Sequence, residues 1–170
     1  NSSGADIAFN ATINGGKTVI TINPDSNLSS TQVVYVAIGA TVEDASNNAI
    51  SAANTSFTSA DVSAPTMTIT AAKVSDGYTS NDSTLAMTFT SSEATSNFVV
   101  GDISVSGGAL SSFNATSSTV YTATFTPSGD GAKTIDVAAG AFTDSVTNNN
   151  TAATQFNWSY DSSSPTLSSS

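Results

Sequence analysis

The sequence has no cysteine, no histidine and no arginine, and its only cations are Lys17, Lys73 and Lys133. Without cysteine there is no disulfide framework, so the fold must be held by core burial alone. With no His or Cys, and with Glu43 and Glu93 as the only glutamates, the usual nucleophile–base pairs cannot be assembled. Glu43 and Asp44 are neighbours on what reads as a loop, which lacks the facing geometry of a paired-carboxylate site. The expectation is a protein that is not an enzyme. Three lysines against thirteen acids, a net charge of −10, leave no clustered basic surface for phosphates, so nucleic acid is not an expected partner. No apolar run approaches the roughly twenty residues that span a bilayer, so no membrane insertion is expected. Lys, Glu and Leu, good helix formers, are scarce, and no window holds a 3.6-residue apolar period, so no helix is assigned.

What is present is serine and threonine, about a third of the chain, and a repeat. Asp61-Val62-Ser63-Ala64-Pro65 recurs as Asp161-Ser162-Ser163-Ser164-Pro165, about a hundred residues later. Proline restricts itself and the residue before it to extended conformations, so each copy reads as a stiff seam between modules. Upstream, Asp44 to Asn48 matches Asp144 to Asn148, Thr21 to Pro24 matches Thr124 to Pro127, and Asp6-Ile7-Ala8-Phe9 matches Asp102-Ile103-Ser104-Val105. Residues 1–62 are therefore read as the C-terminal part of one module, lacking its first two strands. Residues 63–162 are a complete module, and 163–170 a linker with the start of another.

The complete module alternates apolar and polar residues at Thr66–Thr70, Thr84–Thr90 and Tyr121–Phe125, each with one buried and one wet face. Further strands are expected at Phe98–Val100, Ile103–Val105, Leu110–Phe113, Ile135–Val137 and Phe156–Tyr160, separated by turn residues such as Asp76-Gly77 and Gly129-Asp130-Gly131. The inward set is Met67, Ile69, Leu85, Met87, Phe89, Tyr121, Phe125, Ile135, Val137, Phe156 and Trp158. Almost every aromatic can be placed inward. Phe57 stands four residues before Asp61, whereas Phe156 and Trp158 stand five and three before Asp161, and a bulge in the last strand would account for this. The fold class is all-β, tandem immunoglobulin-like β-sandwiches of seven to eight short strands per module with the first module incomplete.

Ser92-Glu93-Ala94, the run from Phe98 to Gly108, Tyr121 to Pro127 and Asp144 to Asn148 resemble the tandem immunoglobulin-like repeats of large bacterial surface proteins and adhesins. The first copy, with Pro24, Asp44 and Asn48, resembles the group found in S-layer and cell-wall proteins. The resemblance implies an extracellular or cell-surface location and a spacer's role. It also implies a glycine before the Asn of the Asp-x-x-Gly-Asn loop, where this chain has Asn47 and Thr147. Asn tolerates a left-handed backbone, and Thr does not, so the second loop is expected to differ in shape.

In sandwich order, the loops holding Glu93 and Asp144 and the incoming Asp61 converge at one pole, and Asp25 is a further candidate there. Carboxylates and carbonyls gathered in this way suit Ca²⁺, which takes six to eight oxygen ligands. By the same logic Asp76, Asp82, Asp130 and Asp161 are expected to gather at the second seam. The competing reading is that each Asp simply caps its own turn. Several Asn-x-Ser/Thr sequons, Asn10 and Asn157 among them, matter only in a host that glycosylates Asn. Outward threonines such as Thr122, Thr124 and Thr126 suit ordinary strand propensity, and a flat ligand- or ice-binding face is the alternative.

Three function classes follow. The first is a non-catalytic repeat of a long filament, stalk or adhesin, stiffened by Ca²⁺ at its junctions. The second is a glycan- or protein-binding module, and the third an accessory domain of a secreted enzyme. The expected partners are neighbouring immunoglobulin-like modules. The missing strands of the first module come either from upstream sequence or from another chain; in the second case the tail Ser164-Pro165-Thr166-Leu167 would build a head-to-tail polymer by strand exchange.

Overall fold

The computed structural model describes residues 6–16, 18–44 and 46–167. Residues 1–5 of the first expected module, Ala45 of the Asp44–Asn48 loop, and residues 168–170 of the tail lie outside the described residues. The fold is all-β, and among the described residues the one helical element is a 3₁₀ turn at Val100–Asp102. The chain divides after Val62 into two compact units.

The second unit is a sandwich of two four-stranded sheets. One sheet orders β5 (Met67–Ala71), β7 (Leu85–Ser91), β10 (Val120–Pro127) and β9 (Gly108–Ala115). The other orders β6 (Thr79–Ser80), β12 (Phe156–Tyr160), β11 (Gly131–Val137) and β8 (Ile103–Ser106), with β6 and β12 parallel. The alternation of apolar residues with threonine decides which face turns in. Leu85, Met87 and Phe89 of β7 meet Phe125, Ala123 and Tyr121 of β10 in register, and all six are buried. All eleven side chains of the expected inward set lie in the core. Burial of each large one contributes on the order of 2 kcal/mol. The Gly107-Gly108 pair has a packing reason: a Cβ on Gly108 would run into the Phe125 ring and the Thr126 carbonyl.

Three details depart from expectation. Phe98–Val100 is not a strand. Phe98 drops into the core, Val99 and Val100 stay exposed, and Asp102 Oδ2 accepts from the Val99 N–H at 2.8 Å to close the 3₁₀ turn. The irregularity in register lies between β9 and β10, near Ser112 (φ 52°), and not in the last strand, whose ladder to β11 is regular. Lys133, outside the expected inward set, is buried on β11.

The first unit has two antiparallel pairs, β1 (Phe9–Ile13) with β2 (Ile20–Pro24) and β3 (Val33–Ile38) with β4 (Ala53–Thr58). The Asn14 side chain closes the first hairpin, its Oδ1 accepting from the N–H groups of Thr18 and Val19 at 2.8 and 2.9 Å. Phe9 faces Pro24 as Gly108 faces Pro127, so it occupies the place of a β9 residue rather than that of Val105 on β8. None of the described residues between 6 and 62 is buried. Phe9, Tyr35 and Phe57 are exposed in this unit, as is Tyr78 in the other, so the expectation that almost every aromatic turns inward fails at these four.

Candidate functional site

Asp144 sits in the loop between β11 and β12, which a Thr143–Asn149 bridge pinches closed. Its Oδ1 accepts from the N–H groups of Val146 and Asn148, each at 2.9 Å, and its Oδ2 from Asn148 Nδ2 at 2.8 Å. The carboxylate is thus both buried and fixed. Glu93 lies in the loop after β7, whose turn forms as Ser91 Oγ accepts from the Glu93 N–H at 3.4 Å. Asn97 ties that loop to the Asp144 loop: its Nδ2 donates to Thr143 Oγ1 at 3.2 Å and its Oδ1 accepts from the Thr143 N–H at 3.1 Å. Asp61 accepts from Ser30 Oγ at 2.6 Å.

Asp61, Glu93 and Asp144 each offer a carboxylate oxygen, and these oxygens lie within 4.8 Å of one another. Two ligands held about 2.4 Å from one Ca²⁺ can be no more than about 4.8 Å apart, so the spacing fits a single hard cation.

Asp25 is not part of this group; its Oδ1 accepts from Asn10 Nδ2 at 2.7 Å. Among the described residues Asp76, Asp82, Asp130 and Asp161 form no such group either. Asp76 holds the Asn157 N–H at 2.6 Å, and Asp161 the Ser163 N–H at 2.9 Å. The ammonium of Lys73, then the hydroxyl of Ser80, hold Asp82 below the usual carboxylate range. Asp130 is lowered by the Ser162 N–H and hydroxyl, the Ser163 hydroxyl and the charge of Lys133. Of the four, only Asp161 caps its own turn; Asp76 and Asp130 hold segments distant in sequence, and Asp82 is held by Lys73 and Ser80.

The Asp44 loop repeats the Asp144 loop bond for bond. Asp44 Oδ1 accepts from Ser46 and Asn48 N–H at 2.8 and 3.0 Å and its Oδ2 from Asn48 Nδ2 at 3.0 Å, with the Asn48 side chain the main reason its pKa is lowered. Asn47 has φ 60° and Thr147 φ 73°. The expected difference in shape is therefore absent: Thr147 takes the left-handed conformation because the Asp144 bonds over-determine the loop. For a β-branched residue that conformation costs roughly 1–2 kcal/mol. Thr147→Asn is expected to stabilise the second unit by about 0.5–1 kcal/mol, read as a raised denaturation midpoint at unchanged m. A lowered midpoint would show that the Thr side chain has a role of its own.

Two braces escape a reading of sequence. Asn150 is buried, accepting from the Phe142 N–H at 2.9 Å and donating to Ala138 O and Thr151 O at 2.8 and 2.7 Å. Ser30 and Asp130, a hundred residues apart, do the same work at the two seams. Ser30 Oγ accepts from the Val62 N–H at 3.0 Å and Asp130 Oδ1 from the Ser162 N–H at 2.9 Å.

Two four-stranded sheets packed face to face, one antiparallel and one antiparallel but for the β6–β12 pair, with a capped acidic loop between β11 and β12, define an immunoglobulin-like β-sandwich. The family model of the bacterial Ig-like domain matches residues 61–160, and the chain belongs to that family. Domains of this family are generally non-enzymatic and usually occur in surface proteins. No curated protein and no solved structure matches the chain. No helix among the described residues is long and apolar enough to cross a membrane.

Proposed function

We propose that the chain is a structural segment of a long extracellular filament, stalk or adhesin. Tandem immunoglobulin-like modules act in it as spacers, and Ca²⁺ held by Asp61, Glu93 and Asp144 stiffens the junction. The observation that carries the calcium reading is the mutual approach of the three carboxylates to within 4.8 Å. The duplicated Asp44 and Asp144 loops support the tandem reading, because identical capping bonds a hundred residues apart are what a repeated module leaves behind. In the matched unit the inward set is absorbed by the core, leaving Tyr78 as its exposed aromatic, which favours a spacer over a glycan platform.

Ca²⁺ that binds the folded, aligned chain stabilises it by mass action, about 2.7 kcal/mol at a hundredfold excess over the dissociation constant. Calcium should raise the melting temperature of the 170-residue chain and narrow its range of shapes in small-angle scattering, and chelator should reverse both. Identical melting and scattering with and without chelator would remove calcium from the proposal.

A further inference from the structure

Asn14-Gly15 is the one Asn-Gly pair in the sequence, and it stands at the turn between β1 and β2. The turn holds both ends of the Asn14 amide. Its Oδ1 accepts from the Thr18 and Val19 N–H groups at 2.8 and 2.9 Å, and its Nδ2 donates to Thr18 Oγ1 at 3.1 Å. Gly15 is exposed, and among the described residues no hydrogen bond holds its N–H. We infer that Asn14 is a self-modification site, converted with loss of ammonia, and that the two N–H groups on Oδ1 direct the product to aspartate rather than isoaspartate.

The chemistry needs only water. The Gly15 nitrogen gives up its proton and bonds to Asn14 Cγ, the Cγ–Nδ2 bond breaks, and ammonia leaves carrying the equivalent proton, so that a five-membered succinimide remains. Water then opens this ring. Attack at Cγ breaks its bond to the Gly15 nitrogen and gives aspartate, whereas attack at the Asn14 backbone carbonyl breaks the other ring bond and gives isoaspartate. In a free chain the second route leads, because the α-nitrogen makes the carbonyl beside it the more electrophilic one.

The folded turn reverses that preference. In ring closure, and in ring opening at Cγ, negative charge develops on Oδ1. The Thr18 and Val19 N–H groups already point at that oxygen, at distances inside the roughly 2.7–3.1 Å span of oxyanion donors. Among the described residues no hydrogen bond reaches the Asn14 backbone carbonyl, so the competing attack has no such help. The fold also penalises the other product. Isoaspartate adds a carbon to the backbone between Ile13 and Gly15, which would pull apart the Asn14 N–H bond to Val19 O at 3.0 Å and the Ile13–Ile20 pairing. Aspartate keeps the frame, and its charged oxygen holds the same two N–H groups more strongly. The hairpin tightens with age instead of fraying. Asp76-Gly77 is closed to the same ring formation, because the Gly77 N–H is given to Asn157 O at 2.7 Å.

The 170-residue chain is incubated at neutral pH, folded and in guanidinium chloride, and residue 14 is followed by peptide mass spectrometry with an isoaspartate-specific methyltransferase as the probe. In guanidinium chloride isoaspartate should be the main product. In the folded chain aspartate should be in several-fold excess, and the Val19 amide of the converted chain should exchange several-fold more slowly. Gly15→Ala, whose Cβ would meet nothing within 4 Å, leaves the turn intact and should slow conversion several-fold by crowding the attacking nitrogen. Thr18→Ala keeps both N–H groups and should leave aspartate in excess. The inference is overturned if Asn14 persists in the folded chain while it converts in denaturant, if isoaspartate leads in both, if Gly15→Ala converts as fast as the wild type, or if Thr18→Ala loses the excess. Thr18 and Val19 amides that exchange as fast in the unmodified chain as in denaturant overturn it too, since the donors would then not be held on Oδ1.

Discussion

Phe98→Ala is expected to destabilise the second unit by about 3–5 kcal/mol, lowering its melting temperature by roughly 15–30 °C. Phe98 is 3% exposed, and its ring stands 6.0, 5.9, 5.0 and 5.2 Å from those of Phe89, Phe113, Tyr121 and Phe142. Truncation leaves a void lined by four rings carried on β7, β9, β10 and the segment leading to the Asp144 loop, and rings held by different elements cannot all collapse into it. Tyr121 is further restrained because its hydroxyl donates to the Thr95 and Ser118 carbonyls at 2.8 and 3.2 Å. Phe98→Leu retains most of the volume and should cost less than half as much. Since Phe142 lies two residues before Asp144, the Ala variant should also speed exchange at the Val146 and Asn148 amides. A melting shift of only a few degrees would mean that the ring cluster does not act as one unit.

Phe98 also marks where the sequence stops being readable. Alternation with threonine made β5, β7 and β10 legible, since a period of two with one wet face has a single solution in a sandwich. Phe98-Val99-Val100 has no period, and a three-residue apolar run cannot reveal that one side chain turns in while two stay out. Phe142 lay outside any alternating stretch, and Asn150 stood in a run of asparagines that reads only as turn composition. That the Glu93 and Asp144 loops lie side by side is legible because strand order alone brings them to one end of the sandwich, and Asn97 bonds one to the other. The separate roles of Asp76, Asp82, Asp130 and Asp161 are not legible, because an acid that braces a distant segment, one that pairs with a lysine and one that caps its own turn look alike until their donors are seen. Thr147 departs from expectation for a different reason: local propensity argues for a changed loop, and three bonds to one carboxylate outweigh it.

Asp144→Ala should cost about 4 kcal/mol or more in the presence of Ca²⁺ and abolish most of the calcium-induced rise in melting temperature. Two losses are combined in that figure. The loop forfeits the acceptor of the Val146 N–H, the Asn148 N–H and the Asn148 amide, and part-buried donors left without a partner cost about 1 kcal/mol each. The cation forfeits one of the three carboxylates within 4.8 Å. Asp144→Asn separates the two, because its side-chain oxygen still accepts from the Val146 and Asn148 N–H groups while its charge is gone. In chelator the Asn variant should lie within about 1 kcal/mol of the wild type, the lost bond to the Asn148 amide being offset by relief of repulsion from Asp61 and Glu93. In Ca²⁺ it should fall well below the wild type, with the calcium response reduced by 1 kcal/mol or more. Melting curves of wild type and both variants, each with Ca²⁺ and with chelator, read all of these terms. If the Asn variant keeps the full calcium response, Asp144 is a loop cap and nothing more, and the cation, if one binds, is held by other oxygens.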